Sequence, residues 1–247
     1  MVYLKNFRFL ESIQGFFPTL FIIIIFNPSP FLTFDYLYLF PLLIVILLNH
    51  HFVYVINDYY DFPTDLNNPR KTYTRSISQQ KRFLFILLII LINLLTFKIY
   101  NNHLSILILN SFFFFLGILY SHPVTHFKSS RPLSFLIHFV YGFLGSSIGH
   151  LILIDLNLIK NTSPLLFTLS GSIFGFLFLA GNIMSAIIDQ NIEPNSWIKS
   201  SALFQLNYYK KTLYLCIFLL AIFYVLQLKK HTILLIPFFL ATFLSLH

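Results

Sequence analysis

Charge is scarce in this sequence: Asp, Glu, Lys and Arg make up only 10% of its 247 residues, and just eight of those are acids. A soluble domain needs about 25% charged residues to coat a water-facing surface. A soluble enzyme, a disordered tail and a nucleic-acid-binding module are therefore excluded, even with a net charge of +8. The single cysteine, Cys216, can form neither an intrachain disulfide nor a cysteine-based metal site. It reads as a small apolar filler. What is abundant is hydrophobic side chain, 57% of the chain, with 32 phenylalanines. Phe, Ile, Leu, Asn and Lys are all raised by AT-rich coding, so aromatic content alone carries no functional weight.

Long apolar runs replace the missing charge. A hydrocarbon core about 30 Å thick needs ~20 mostly apolar residues in a helix, with ~17 as a lower limit. Such runs occur at 12–27, 37–57, 83–100, 103–120, 133–154, 164–188, 212–228 and 231–247. Helices satisfy their own backbone groups in lipid, and no ten-residue alternation points to a β-barrel. The expected fold is therefore all-α: a polytopic membrane bundle of about eight transmembrane helices forming one domain over 1–247. The first run follows Lys5 and Arg8 but continues into Asn27-Pro28-Ser29-Pro30 without a small-residue cleavage site, so it reads as a retained anchor.

With the N-terminus inside, the inner segments hold Lys5, Arg8, Arg70, Lys71, Arg75, Lys81, Arg82, Lys128, Arg131, Lys199, Lys210 and Lys211. The outer segments hold Lys98, Lys160, Lys229 and Lys230. This bias predicts a cytoplasmic N-terminus and, with an even span count, a cytoplasmic C-terminus. The cell membrane is the expected location.

The acids are distributed unevenly. Asp58, Asp61 and Asp65 follow the second span; Asp189 and Glu193 follow the sixth. Both clusters begin where an apolar helix emerges on the cytoplasmic side. Exclusion of charge from lipid explains one such cluster, but explains less well two at equivalent helix ends. At 100° per residue, Asp58, Asp61 and Asp65 fall within an arc of about 60°. Like charges so placed repel unless a cation sits between them. Their hard oxygens suit Mg²⁺, which keeps several waters and bridges one or two carboxylates to substrate phosphates. Pro63 removes a helix donor and bends the chain before Asp65, making Asp58 and Asp61 the firmer ligands. Arg70, Lys71 and Arg75 follow and suit phosphate oxygens, although attraction to anionic headgroups accounts for each singly. Between the fourth and fifth spans, Tyr120-Ser121-His122-Pro123 leads to Lys128 at the same face, a stretch that taken alone is only a turn.

The run Asn57-Asp58-Tyr59-Tyr60-Asp61-Phe62-Pro63-Thr64-Asp65 matches the NDxxDxxxD signature of the UbiA-type intramembrane prenyltransferases, and LYSHP…FK resembles that family's YSxPP…xK stretch. Order and spacing agree over nearly the whole chain. More locally, DLNNPRK and FKSSRPLSFLIHFVYG resemble the branch that elongates lycopene with five-carbon prenyl units. The resemblance implies a helical bundle around a lipid-accessible cavity, usually of nine spans, capped by the two acidic segments. It implies Mg²⁺ on Asp58, Asp61, Asp65, Asp189 and Glu193, with Asp58, Asp61 and Asp189 catalytic. Asn57, Arg70, Lys71, Lys128 and Lys199 would bind the diphosphate. The partners implied are a prenyl diphosphate donor and a hydrophobic acceptor in membrane lipid, such as lycopene or a quinone or aromatic precursor. Aromatic faces stabilise an allylic cation as they do other cations, and Tyr59, Tyr60 and Tyr120 are nearest, though each also reads as an interfacial aromatic. Asn182 and Ser185 border the pocket one to two turns before Asp189, with helix packing an equal role for Ser185.

The chain also departs from the family pattern. The second motif is commonly DxxxD with a downstream Gly. One register pairs Asp189 and Glu193 with the acids and puts Trp197 at the Gly. Another aligns Asn191-Ile192-Glu193-Pro194-Asn195 with D-x-E-P-D and leaves two amides where acids are expected. Amide oxygens ligate without charge and hold a second metal more weakly. An R-P pair after the first motif is absent. A non-catalytic or altered-activity subunit of the same fold is thus one rival; a small transporter, which intramembrane acids also mark, is another.

Other polar residues read as structural. His50 and His51 lie seven residues before the first motif, about 10 Å along the axis and too far to share its metal, so hydrogen-bonded packing is expected. Asp35 and Asp155 fall on the outer side and read as solvated. Gly142, Gly145 and Gly149 line the fifth span and Gly171 and Gly175 the sixth, as expected for close packing within the chain.

Overall fold

A computed structural model describes residues 9–26, 36–65, 77–99, 103–125, 127–157, 159–160, 163–190 and 202–227. Seven long helices run in chain order: α1 (Phe9–Phe26), α2 (Tyr36–Tyr60), α3 (Gln79–Ile99), α4 (Leu104–Ser121), α5 (Arg131–Asp155), α6 (Pro164–Gln190) and α7 (Ala202–Gln227). A helical turn, Phe62–Asp65, follows α2, and a 3₁₀ turn, Phe127–Ser129, precedes α5. No strand occurs among the described residues. Among the described residues, five helices are long and apolar enough to cross a membrane, over Phe40–Tyr60, Gln79–Ile99, Leu104–Ser121, Pro132–Asp155 and Pro164–Met184; a shorter apolar stretch covers Ser12–Phe26. The fold is the all-α membrane bundle that the apolar runs predict. The run at 231–247 lies outside the described residues.

Boundaries differ in instructive places. α3 begins at Gln79 rather than 83, bringing Arg82 into its first turn, and α7 begins at 202 rather than 212, taking Lys210 and Lys211 into the helix. Charged side chains count against an apolar run but not against helical hydrogen bonding at the end of a span. α2 stops at Tyr60, and Asp61 is a bend before a new turn that contains Pro63. The amide of Asp61 still closes the ladder onto the Asn57 carbonyl at 2.9 Å. Pro63 has no N–H to continue it, so Asp65 sits on a separate turn, and the single arc expected for three aspartates ends after the second. α5 opens on a proline in its first turn, where the missing donor costs nothing.

α5 is the hub. It packs against α6, α1 and α4; α2 packs against α4, α1 and α3; α7 covers α6. Glycines permit the closest approaches. A Cβ on Gly142 would lie 2.3 Å from the Phe174 carbonyl oxygen, and one on Gly175 2.7 Å from the Phe139 ring. Gly171 likewise faces Phe143, while Gly145 and Gly149 face Pro18 and Ile22 of α1. All five glycines expected to serve packing thus do so within the chain, and those of α5 divide between two neighbours.

The outward face of α3 exposes Phe83, Leu84, Leu87, Leu88, Leu91, Leu94 and Leu95, as suits a helix against acyl chains. Inside, polar side chains pair off. Asn49 and Asn93 exchange amide hydrogen bonds of 2.7 and 2.6 Å between α2 and α3. Ser12 and His51 share one of 2.6 Å, and His50 and Tyr141 one of 2.9 Å. Both histidines therefore have the packing role expected of them. Cys216 is buried.

Candidate functional site

Cross-helix contacts define one end of the bundle. Ser121, the last residue of α4, donates from Oγ to Asn57 Oδ1 at 3.2 Å, so α2 and α4 finish together. Asn182, two turns before the end of α6, donates from Nδ2 to Nε2 of His138 in the second turn of α5 at 3.1 Å. Lys128, just before α5, donates its ammonium to Asp61 Oδ1. The C-terminal ends of α2, α4 and α6 and the start of α5 therefore gather at one motif end.

The first acidic segment is held from three sides. Asp58 is buried, 4% exposed, and Arg82 in the first turn of α3 donates from Nη1 to its backbone carbonyl at 3.1 Å. The same guanidinium stands 4.9 Å over the Phe62 ring, which closes the α2 end against α3. The Lys128–Asp61 pair is partly exposed on both partners, so the ammonium sits where a soluble cation or anion can compete for either group. Tyr60 meets His122 edge-on at 5.1 Å. Tyr59 packs against Tyr60 and Phe83 of α3.

On the α5–α6 side, His138 is fixed as a neutral ring. Its Nδ1–H donates to the Ser134 carbonyl at 2.8 Å, leaving Nε2 to accept from Asn182. Tyr120 meets the His138 ring edge-on at 5.2 Å. Of the three tyrosines, Tyr120 alone contacts this His138–Asn182 layer in the described geometry. The α6 backbone stays helical through Gln190, so the helical register carries Ser185 and Asp189 on beyond Asn182 to the last turn at the motif end. Arg70, Lys71 and Arg75 lie outside the described residues, as do Glu193, Lys199 and Asp35.

Four participants were not singled out from the sequence. Arg82 counts there only as one inner cation; its burial depends on α3 packing against α2, which no local spacing announces. Ser121 and His122 look like turn residues until α4 is laid beside α2. His138 carried the one available signal, a ring nitrogen inside an apolar run. Asp155, expected to be solvated, instead pairs with His103 at 3.2 Å with its side chain 22% exposed, because the start of α4 and the end of α5 meet at the opposite end of the bundle.

Among the described residues no group of three or more His, Cys, Asp or Glu side chains converges as a metal cluster. Asp58 and Asp61 nonetheless fit the demands of Mg²⁺, which takes one or two carboxylates and completes its octahedron with water and phosphate oxygens. No curated protein and no solved structure matches the chain. The UbiA prenyltransferase family matches residues 16–247, a stretch that includes both acidic segments and every helix from α2 onward. The chain is an integral membrane protein that belongs to the UbiA prenyltransferase family.

Proposed function

We propose that the motif end transfers a prenyl group from a Mg²⁺-bound prenyl diphosphate to a hydrophobic acceptor, within a single domain spanning 1–247. The observation that carries this is the meeting of Lys128 with Asp61 beside buried Asp58. One metal-suited carboxylate and one phosphate-suited cation share a partly exposed position at the end of an apolar helix. Asp58 and Asp61 serve as the principal metal ligands, with Asp65, Asp189 and Glu193 completing the set. Asn57, Arg70, Lys71, Lys128 and Lys199 hold the diphosphate. Bound Mg²⁺ supplies charge neutralisation on the departing diphosphate.

The C1–O bond of the donor breaks with both electrons leaving on the diphosphate. A carbon of the acceptor then bonds to C1 and gives up a proton. Surrounding apolar side chains keep water from capturing the allylic cation, and Tyr60 and Tyr120 offer ring faces to it. Asn182 and Ser185 border the pocket. Walls of Leu, Ile and Phe suit carotenoids, quinone precursors and lipid alcohols alike; the lycopene-elongase likeness of DLNNPRK and FKSSRPLSFLIHFVYG favours a carotenoid acceptor. The excess of cations on the motif side supports a cytoplasmic position for that end and for both termini, in a cell-membrane protein.

The test is transfer of a labelled prenyl group by the purified chain in lipid with Mg²⁺, beside extraction of lipids from cells with and without the gene. Loss of one isoprenoid product with the gene, and of turnover with Asp61→Asn, is expected. Full turnover by that variant contradicts the assignment. A second reading, a non-catalytic subunit, is favoured by Asn191 and Asn195, which fall at acidic positions in one of the two registers of the second motif; it predicts binding of neither Mg²⁺ nor a non-hydrolysable prenyl diphosphate.

A further inference from the structure

His50, Tyr54 and Asn57 of α2 and Asp61 just past its end follow one another at intervals of four, three and four residues, which keeps them along one helical face, the Asp61 amide still bonded to the Asn57 carbonyl. On α6, Phe178, Asn182, Ser185 and Asp189 repeat those intervals. The two faces converge on one side chain of α5. The Nδ1–H of His50 donates to the Tyr141 hydroxyl at 2.9 Å, and that hydroxyl donates back to the His50 carbonyl at 3.4 Å. The Tyr141 ring lies 5.4 Å from Phe178 and 4.6 Å from Phe113 of α4, and Phe113 is 4.3 Å from His50. Tyr141 thus joins α2, α4, α5 and α6 at one level.

His50 and Phe113 are 0% exposed and Tyr141 5%, whereas Tyr120, His138 and Asn182, nearer the motif end, are only partly buried. A buried aromatic contact of His50, Phe113 and Tyr141 therefore underlies a polar ring in which Tyr120, His138 and Asn182 are partly buried and Asp58, Ser121 and Ser134 are buried.

We propose that Tyr141, braced by His50 and Phe113, is the floor of the prenyl-binding space and sets the longest donor tail the protein accepts. The proposal rests on the prenyl-diphosphate function assigned above. Eleven residues separate His50 from Asp61, and eleven separate Phe178 from Asp189, so the floor lies about 16 Å from either acid at 1.5 Å per residue. The diphosphate takes the first few ångströms. An isoprene unit spans about 5 Å, given carbon–carbon bonds of roughly 1.5 Å, so this depth matches one or two units above the ring. A longer tail meets Tyr141 end-on.

The experiment is competitive binding of non-hydrolysable C5, C10 and C20 prenyl diphosphate analogues to the full chain in lipid with Mg²⁺. C5 and C10 are expected to bind, and C20 about tenfold or more weaker than C10. Tyr141→Leu is expected to remove most of that discrimination, and Phe113→Leu, on a different helix, to weaken it independently. Tyr141→Phe, which keeps the ring, is expected to retain it. Wild-type protein that takes C20 as readily as C10 overturns the floor while leaving the function intact. So does unchanged discrimination in both leucine variants while they still bind C5. Failure of every analogue to bind overturns the prenyl-diphosphate function and the floor with it.

Discussion

The motif end of α2 and its middle handle polar side chains in opposite ways. At the end, Asp61 meets the Lys128 ammonium, and the Arg82 guanidinium closes onto the Asp58 carbonyl. Two to three turns deeper, Asn49 meets Asn93, His50 meets Tyr141 and His51 meets Ser12, all side chains that need carry no charge. Burying an ion without compensation costs far more than burying a paired amide or imidazole. Full charges are tolerated at the motif end because each is compensated: Lys128 and Asp61 pair where both are partly exposed, and buried Arg82 is held on the Asp58 carbonyl and over the Phe62 ring, while neutral pairs lock helices together within the span. The motif end thus holds charged groups in compensated contacts, and the middle holds its helices through neutral ones.

Substitutions at four places break or sharpen that contrast. Asp61→Asn should lower prenyl transfer roughly 10²–10³-fold, the scale of losing one charge-stabilising group, without lowering thermal stability in detergent. A large stability loss with little change in turnover would make the motif end structural instead. Gly142→Ala forces a methyl onto the Phe174 carbonyl and should cost about 1–3 kcal/mol, as overpacking does, seen as a lower unfolding midpoint. Asn49→Leu alone strands the Asn93 amide and should cost on the order of 1 kcal/mol. The Asn49→Leu/Asn93→Leu pair should recover most of it, and a double variant worse than the single would show that the amides do more than satisfy each other. His103→Ala, at the opposite end, should shift stability by less than about 1 kcal/mol, as loss of a partly exposed polar pair does.

Much of the fold was legible because lipid imposes a length on apolar runs, so α2, α4, α5 and α6 appear within a few residues of their predicted bounds. Helix ends were harder to read. Arg82, Lys210 and Lys211 belong to helices although their charge marks the edge of an apolar run. Of the candidate site, the spacing of Asp58 and Asp61 and the place of Lys128 could be read in advance, since a motif is local. The partners that hold them could not. Arg82 reaches Asp58 across 24 residues and Asn182 reaches His138 across 44, and only the packing of α3 on α2 and of α6 on α5 decides those meetings. Asp155 was misread for the same reason: its partner, His103, comes from another helix.

The most direct measurement is Mn²⁺ uptake, followed by its paramagnetic resonance signal, with and without a non-hydrolysable five-carbon prenyl diphosphate. If the tips of α2 and α6 grip one ion–diphosphate unit together, the analogue will tighten Mn²⁺ binding in native protein, and either Asp61→Asn or Asp189→Asn will abolish that gain. An analogue that binds equally well without metal, or an Asp189→Asn protein indistinguishable from native, contradicts a shared grip.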